Sequence, residues 1–336
     1  MSIFNYFKEK STLIYVVFVI IFAFLINWNY SKYGVYPIDS FLHYDSAYRI
    51  LNGEYPIRDY WIVSGILVDF LQAFFFKIFG VNWYAYIFHS SILNAIFAIL
   101  TFHILITLGL KKKSAFFYSI SFSVLAYPIS GTPFVDLHAT FFCLLAVYFT
   151  FLAIRKPEKN INWFLVVLFY FFAFFCKQVP AVYIVFLNTI IIFPYLVLNK
   201  KIKALKIISY SVLFCLLLVF FLFYLLNINI HDFYIQYLDY PQSIGSERFS
   251  ILKESTLIGF FNTYKFILIP LISLFCIHIR EIYKKKIKFN SSQFINFLVF
   301  FTFCVGLLLH QSLTKNQIYV YFLIPITFAL LQIEIQ

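Results

Sequence analysis

The chain has 336 residues, 62% of them hydrophobic and only 12% charged, with a formal net charge of +12. A composition this apolar excludes a soluble globular domain, and apolar runs of roughly 20 residues recur along the chain, as crossing a ~30 Å hydrocarbon core requires. The period-two alternation of a membrane β-barrel is absent. The basic residues are scattered caps on apolar runs rather than one continuous face, which excludes nucleic-acid binding.

The first apolar run, Leu13 to Trp28, follows Lys8 and Lys10. No small-residue cleavage pattern comes after it, so it reads as a retained first helix rather than a signal peptide. Pro37 to Gly65 then reads PIDSFLHYDSAYRILNGEYPIRDYWIVSG, a charged and aromatic segment in an otherwise apolar chain. Within it Ser40 to Leu51 is predicted to be a short helix, with Asp39 or Ser40 capping its start, Gly53 past its end and Pro56 forbidding continuation. Ile62 to Phe79 is apolar but carries Asp69, Gln72 and Lys77, which suits a helix lying in the membrane interface. Spanning helices are predicted over 12–28, 83–110, 114–130, 134–154, 162–176, 178–198, 205–226, 257–279, 292–310 and 318–334.

Short basic runs recur at Lys111 to Lys113, Arg155 to Lys159, Lys200 to Lys206 and Arg280 to Lys288. Basic loops of this length stay cytoplasmic. If Ile62–Phe79 spanned, these four runs would lie opposite the basic N-terminus; if it lies in the interface, all five clusters share one side. The second arrangement is the expectation: an all-α polytopic membrane protein of about ten spans, both termini inside. Residues 1–336 form one membrane unit, and the outer loop 29–80 carries interfacial helices and the site. A bacterial inner membrane with the site facing outward is the expected location, and the lipid bilayer is the first partner.

The five cysteines (Cys143, Cys176, Cys215, Cys276, Cys304) fall in apolar runs without metal or disulfide spacing, and read as small buried hydrophobes. His89, His103, His278 and His310 read as helix-packing residues and His231 as solvated. His43-Tyr44-Asp45 and Asp136-Leu137-His138 contain divalent-metal ligand types, but residues two apart do not share a helix face; no metal or other cofactor is expected.

Six residues carry the candidate chemistry. Asp45 lies mid-helix with Arg49 one turn on: either an i,i+4 ion pair worth ~0.3 kcal/mol, or a general base facing a cavity. Arg58 and Asp59 lie where the interfacial helix begins. Arg58 suits a phosphate at headgroup depth, or plain snorkelling. Asp136 is either an N-cap or a functional carboxylate at a helix entrance. Lys177-Gln178 sits between two apolar runs where the chain turns outward, which favours function over a snorkelling helix end. Beyond these, Arg248 in the 227–255 loop and Lys315 are possible substrate contacts.

DSAYRILNGEYPIRDYW and the later LQAFFFKIFG resemble the first outer loop of GT-C-fold polyprenyl-phosphate-dependent glycosyltransferases, which include protein O-mannosyltransferases and the lipid A aminoarabinose transferase. Asp45, Ala47, Leu51, Gly53, Pro56 and Phe76-Lys77-Ile78-Phe79-Gly80 fill that pattern. VDLHATFFCLLAVYF is similar to the family's second outer acid, which gives Asp136, and FFAFFCKQVPA to its helix-turn lysine, which gives Lys177. The resemblance covers about residues 1–200. The doubled acid beside Asp45 is missing, as are the extra helices or soluble domain of many relatives.

The resemblance implies inverting transfer of a sugar from a polyprenyl phosphate to an acceptor hydroxyl or amine on the outer face. Asp45 would be the base, Lys177 and Arg58 would hold the departing phosphate, and Asp136 would position the acceptor or a basic partner. A lipid-linked-sugar flippase or transporter and a non-catalytic assembly subunit stay open as alternatives.

Overall fold

The computed structural model describes residues 10–33, 39–248, 257–314 and 319–336. The helices are α1 Lys10–Tyr30, α2 Ser40–Leu51, α3 Ile66–Phe79, α4 Trp83–Leu108, α5 Lys112–Leu125, α6 Val135–Arg155, α7 Asn160–Cys176, α8 Gln178–Leu198, α9 Ile202–Leu226, α10 Ile230–Phe233, α11 Tyr240–Arg248, α12 Leu257–Tyr283, α13 Ser292–Thr314 and α14 Leu323–Ile335. A π-helical stretch, Tyr234–Asp239, joins α10 to α11, and 3-10 turns Tyr127–Ile129 and Val320–Phe322 follow α5 and precede α14. No strand occurs among the described residues.

Seven of these helices (α1, α4, α6, α8, α9, α12 and α13) are long and apolar enough to cross a membrane. That marks an integral membrane protein. The apolar runs predicted ten comparable spans, but α7 has 17 residues, α5 has 14 and α14 has 13. Polar turns and 3-10 segments shorten the helices at the ends of those runs. Helix α3 has 14 residues, about 21 Å at 1.5 Å per residue, and so falls short of a hydrocarbon core. It buries one stripe, Val68, Asp69, Gln72, Ala73 and Phe76, at the spacing of a helix lying on a surface.

Helix α6 is the central column, 89% buried along its apolar window, and packs on α7, α8 and α13. The outer helices turn apolar side chains outward, as a bundle solvated by lipid does. Polar side chains fasten helices internally, where the hydrocarbon offers no other partner. Asn27 Nδ2 donates to Ser90 Oγ and Ser91 Oγ, both at 3.0 Å. Asn94 Nδ2 donates to Ala23 O at 2.8 Å and Ser123 O at 3.0 Å. All five cysteines are free; four are buried, but Cys276 is exposed on α12, which corrects the reading of all five as buried.

The connections gather at two ends. At one end, Gln178 Nε2 donates to Val63 O at 2.8 Å and to Tyr237 O at 2.6 Å. There too Ile62 N donates to Gln236 Oε1 at 3.2 Å, and Phe134 meets Tyr319 with ring centroids 5.3 Å apart. At the other, Arg155 donates to Thr107 O and Leu108 O, and Gln332 Nε2 donates to Ser114 Oγ at 3.3 Å. The second end carries the basic connections after α4, α6 and α12. In a background with the five cysteines replaced by alanine, single cysteines at Asn52 and at Lys112 are expected to react with an impermeant thiol reagent from opposite faces of the membrane. Labelling of both from one face would contradict this two-ended arrangement.

Candidate active site

The densest charge cluster lies at the loop-rich end. Lys177 is the single residue between α7 and α8, with extended backbone at φ −160° and ψ 131°. That joint lets its side chain leave the helix axis and reach Asp136, whose Oδ2 is 2.6 Å from Nζ. Asp136 Oδ1 is 2.8 Å from His310 Nε2. One carboxylate thus takes a cation from the α7–α8 joint and an imidazole from α13. Asp136 and His310 are buried, while the Lys177 side chain keeps 23% of its surface. Phe134, not Asp136, stands at the N-cap of α6, which removes the capping alternative for Asp136. Pairing with Asp136 likewise removes the reading of Lys177 as a lone snorkelling end. His310, read from sequence as a packing residue, belongs to this cluster. The signal for it was an ionisable residue near the end of an apolar helix.

Above this cluster α2 and α3 are locked together. Asp69 Oδ1 is 2.7 Å from His43 Nδ1, and Ser46 Oγ donates to Asp69 Oδ2 at 2.8 Å. Ser46 Oγ also meets Tyr60 Oη at 2.6 Å. His43 and Ser46 are three apart on α2 and share its inner face. Burial pushes the Asp69 carboxyl up, and His43 and then Ser46 pull against it. Burial also pushes the Tyr60 hydroxyl up.

Gly65 joins the two layers. Its φ of +89° opens α3 in the left-handed region, and a Cβ there would stand 2.3 Å from His43 Cε1 and 2.9 Å from Val135 Cγ1, so only glycine fits. Its N–H donates to Cys176 O at 2.9 Å. Val135 and Cys176 immediately precede Asp136 and Lys177.

The other expected site residues are placed differently. Asp45 Oδ2 accepts from Arg49 Nε at 2.8 Å, and Arg49 Nη1 reaches Glu54 Oε2 at 3.1 Å. The Asp45 side chain is 59% exposed, on the face of α2 opposite the Asp69 lock, and no described contact links it to Asp136 or Lys177. Arg58 is committed to the fold. Its Nε donates to Asp59, Nη1 to Leu226 O at 3.1 Å and Nη2 to Gly53 O at 2.8 Å, with the guanidinium over the Tyr55 ring. Arg58, then the Tyr55 N–H, hold the Asp59 carboxyl below its usual range. Gln178 bridges Val63 and Tyr237 carbonyls and so fastens the loop to the π-helical stretch. Lys315 and the Arg248 side chain lie outside the described residues. Among those residues no three His, Cys, Asp or Glu side chains are grouped to hold a metal ion.

A second polar chain runs inward from α3. His89 Nδ1 is 2.9 Å from Gln72 Oε1, His89 Nε2 is 3.2 Å from His138 Nε2, and His138 Nδ1 is 3.1 Å from Tyr127 Oη. On the other flank, an apolar groove of about 590 Å³ lies between α7, α8 and α9. Phe174 and Ala181, three residues before and four after Lys177, line it together with Phe186 and Leu216.

A scan of family models, a search of curated proteins and a search of solved structures each found no match.

Removing one partner of a buried pair costs about 3–5 kcal/mol, because the other charge stays behind unpaired. Asp136→Ala is therefore expected to lower the unfolding temperature in detergent markedly, and adding Lys177→Met to that background to recover part of the loss. Additive losses would show that Asp136 and Lys177 do not act as a pair.

Proposed function

We propose that this chain is a membrane glycosyltransferase. It moves a sugar from a polyprenyl-phosphate donor to an acceptor on the outer face of the membrane, with inversion at the anomeric carbon and Asp45 as general base. The observation that carries this reading is the cation Lys177, held by Asp136 at 2.6 Å at the loop-rich end of an apolar bundle, above a groove fit for hydrocarbon. A donor of this class has two parts, an anionic phosphate and a long branched tail. Lys177 suits the first and the α7–α8–α9 groove the second.

The mechanism follows from charge. As the bond from sugar to phosphate breaks, negative charge grows on the phosphate, and a cation already in place stabilises that growth without reorganisation. Asp136 holds Lys177 in place beforehand. Asp45, exposed on α2, takes the proton of the acceptor hydroxyl or amine as the acceptor attacks. Arg58 serves this site by shaping the loop, since its donors are spent on Asp59, Gly53 and Leu226. In the proposed topology α5, α7 and α14 also cross, which gives ten spans, basic connections in the cytoplasm and a GT-C-like fold.

A flippase or transporter for lipid-linked sugars is the second reading. The observation in its favour is the buried chain of Gln72, His89, His138 and Tyr127, since ionisable residues inside a bundle mark ion and substrate pathways.

Purified protein with labelled polyprenyl-phosphate sugars and membrane acceptor fractions decides between these readings. Transfer of label to an acceptor is expected, with turnover by Asp45→Asn reduced ~10²-fold and donor binding kept. Movement of intact donor across a vesicle membrane without transfer would overturn the enzyme in favour of the transporter.

A further inference from the structure

We propose that the end of the bundle opposite the Lys177 site holds a second binding site, a cavity that takes the headgroup of a phospholipid with a primary ammonium, the phosphatidylethanolamine class. The cavity has a volume of about 270 Å³ and lies between α4, α6, α12, α13 and α14, at the end that carries the basic connections.

Charges of both signs stand on its wall. Glu334 on α14 keeps only 19% of its side-chain surface. Its Oε2 accepts from Gln293 Nε2 at 2.7 Å, and its Oε1 accepts no hydrogen bond among the described residues. His278 Nε2 is 3.9 Å from Oε1, beyond hydrogen-bond reach. A carboxylate this enclosed, served by one neutral amide, favours a cationic ligand. Asn296 lies one turn from Gln293 on the same face of α13 and lines the same cavity. Its Oδ1 is buried with no partner among the described residues, as is His278 Nδ1. The wall thus carries more polar capacity than the described chain fills.

Arg155, at the end of α6, supplies the other sign. Two of its nitrogens donate to Thr107 O and Leu108 O, and it pairs with no carboxylate among the described residues. The guanidinium fork has further N–H groups, which suit a phosphate oxygen. Leu108, Leu330 and Ile333 line the same cavity, so its occupant combines hydrocarbon with charge, at helix ends where headgroups sit. A purely anionic headgroup would bring no counter-charge to Glu334. A quaternary ammonium has no N–H to give to its open oxygen. The lipid that answers both walls carries a phosphate for Arg155 and a primary ammonium for Glu334. This site is independent of the sugar-transfer reading and stands or falls without it.

The test uses the full chain, delipidated in detergent and offered equimolar pairs of phospholipids with identical acyl chains, with bound lipid read by native mass spectrometry. Wild type is expected to retain the ethanolamine lipid ~10-fold over the choline lipid and over the glycerol lipid, the worth of one charge-assisted hydrogen bond. Glu334→Gln keeps an acceptor for Gln293 but removes the charge, and is expected to retain ethanolamine and choline lipids equally. Arg155→Met is expected to bind the ethanolamine lipid no better than diacylglycerol with the same chains. Water-soluble glycerophosphoethanolamine is expected to leave the unfolding temperature unchanged. Equal retention of ethanolamine and choline lipids by wild type would overturn the site whether or not the variants fold. So would an ethanolamine preference that survives Glu334→Gln, or a preference for phospholipid over diacylglycerol that survives Arg155→Met. A thermal shift with the soluble headgroup as large as with the lipid would overturn the lipid as occupant.

Discussion

A charge inside an apolar bundle must be paired, and this molecule pairs its principal charges on one carboxylate. Asp136 opens the most buried helix and binds Lys177 from the α7–α8 joint and His310 from α13. Those two contacts tie three parts of the chain, distant in sequence, to one point. The loop above depends on the same point. Gly65 takes Cys176 O, Gln178 takes Val63 O, and the α2–α3 lock rests on that floor. Moving Asp136 would misplace Lys177, then Gly65, then His43.

The loop divides its acids by burial. Asp69 is enclosed and bonded to two side chains of α2, whereas Asp45, one residue before Ser46, faces out on the opposite side of the same helix. The open carboxylate is reachable from solvent. The lock on one face of α2 therefore sets where the other face points. Arg58 adds rigidity rather than a free charge, since it joins the loop to the last carbonyl of α9.

Much of the fold was legible because apolar runs and their breakers are local signals. Ser40–Leu51 and Gln178–Leu198 stand where Gly53, Pro56 and the Lys177 interruption place them, although Asp39 at the start of the first makes no side-chain capping bond. The interfacial reading of Ile62–Phe79 drew on Asp69, Gln72 and Lys77, and two of these three face inward on a helix too short to span. Pairing was not legible. Nothing within GLLLHQSLT says that His310 bonds a carboxylate 174 residues earlier, and nothing near Arg58 names Leu226 as its acceptor. Charge type and helix face are written locally, whereas partners arise only when the helices close on each other. Hence Lys177 and Asp136 stood out individually, and their union with each other and with His310 did not.

Lys177 on Asp136 is proposed as a phosphate site at the head of a hydrocarbon groove. Thermal unfolding of the purified protein with polyprenyl monophosphate, and separately with the neutral polyprenol of the same length, tests it most directly, since a ligand that binds only the folded state raises the unfolding temperature. A clear rise with the phosphate, a smaller one with the alcohol, and loss of that difference in Lys177→Met are expected. Equal shifts with both lipids in wild type, or a phosphate preference that survives Lys177→Met, would contradict it.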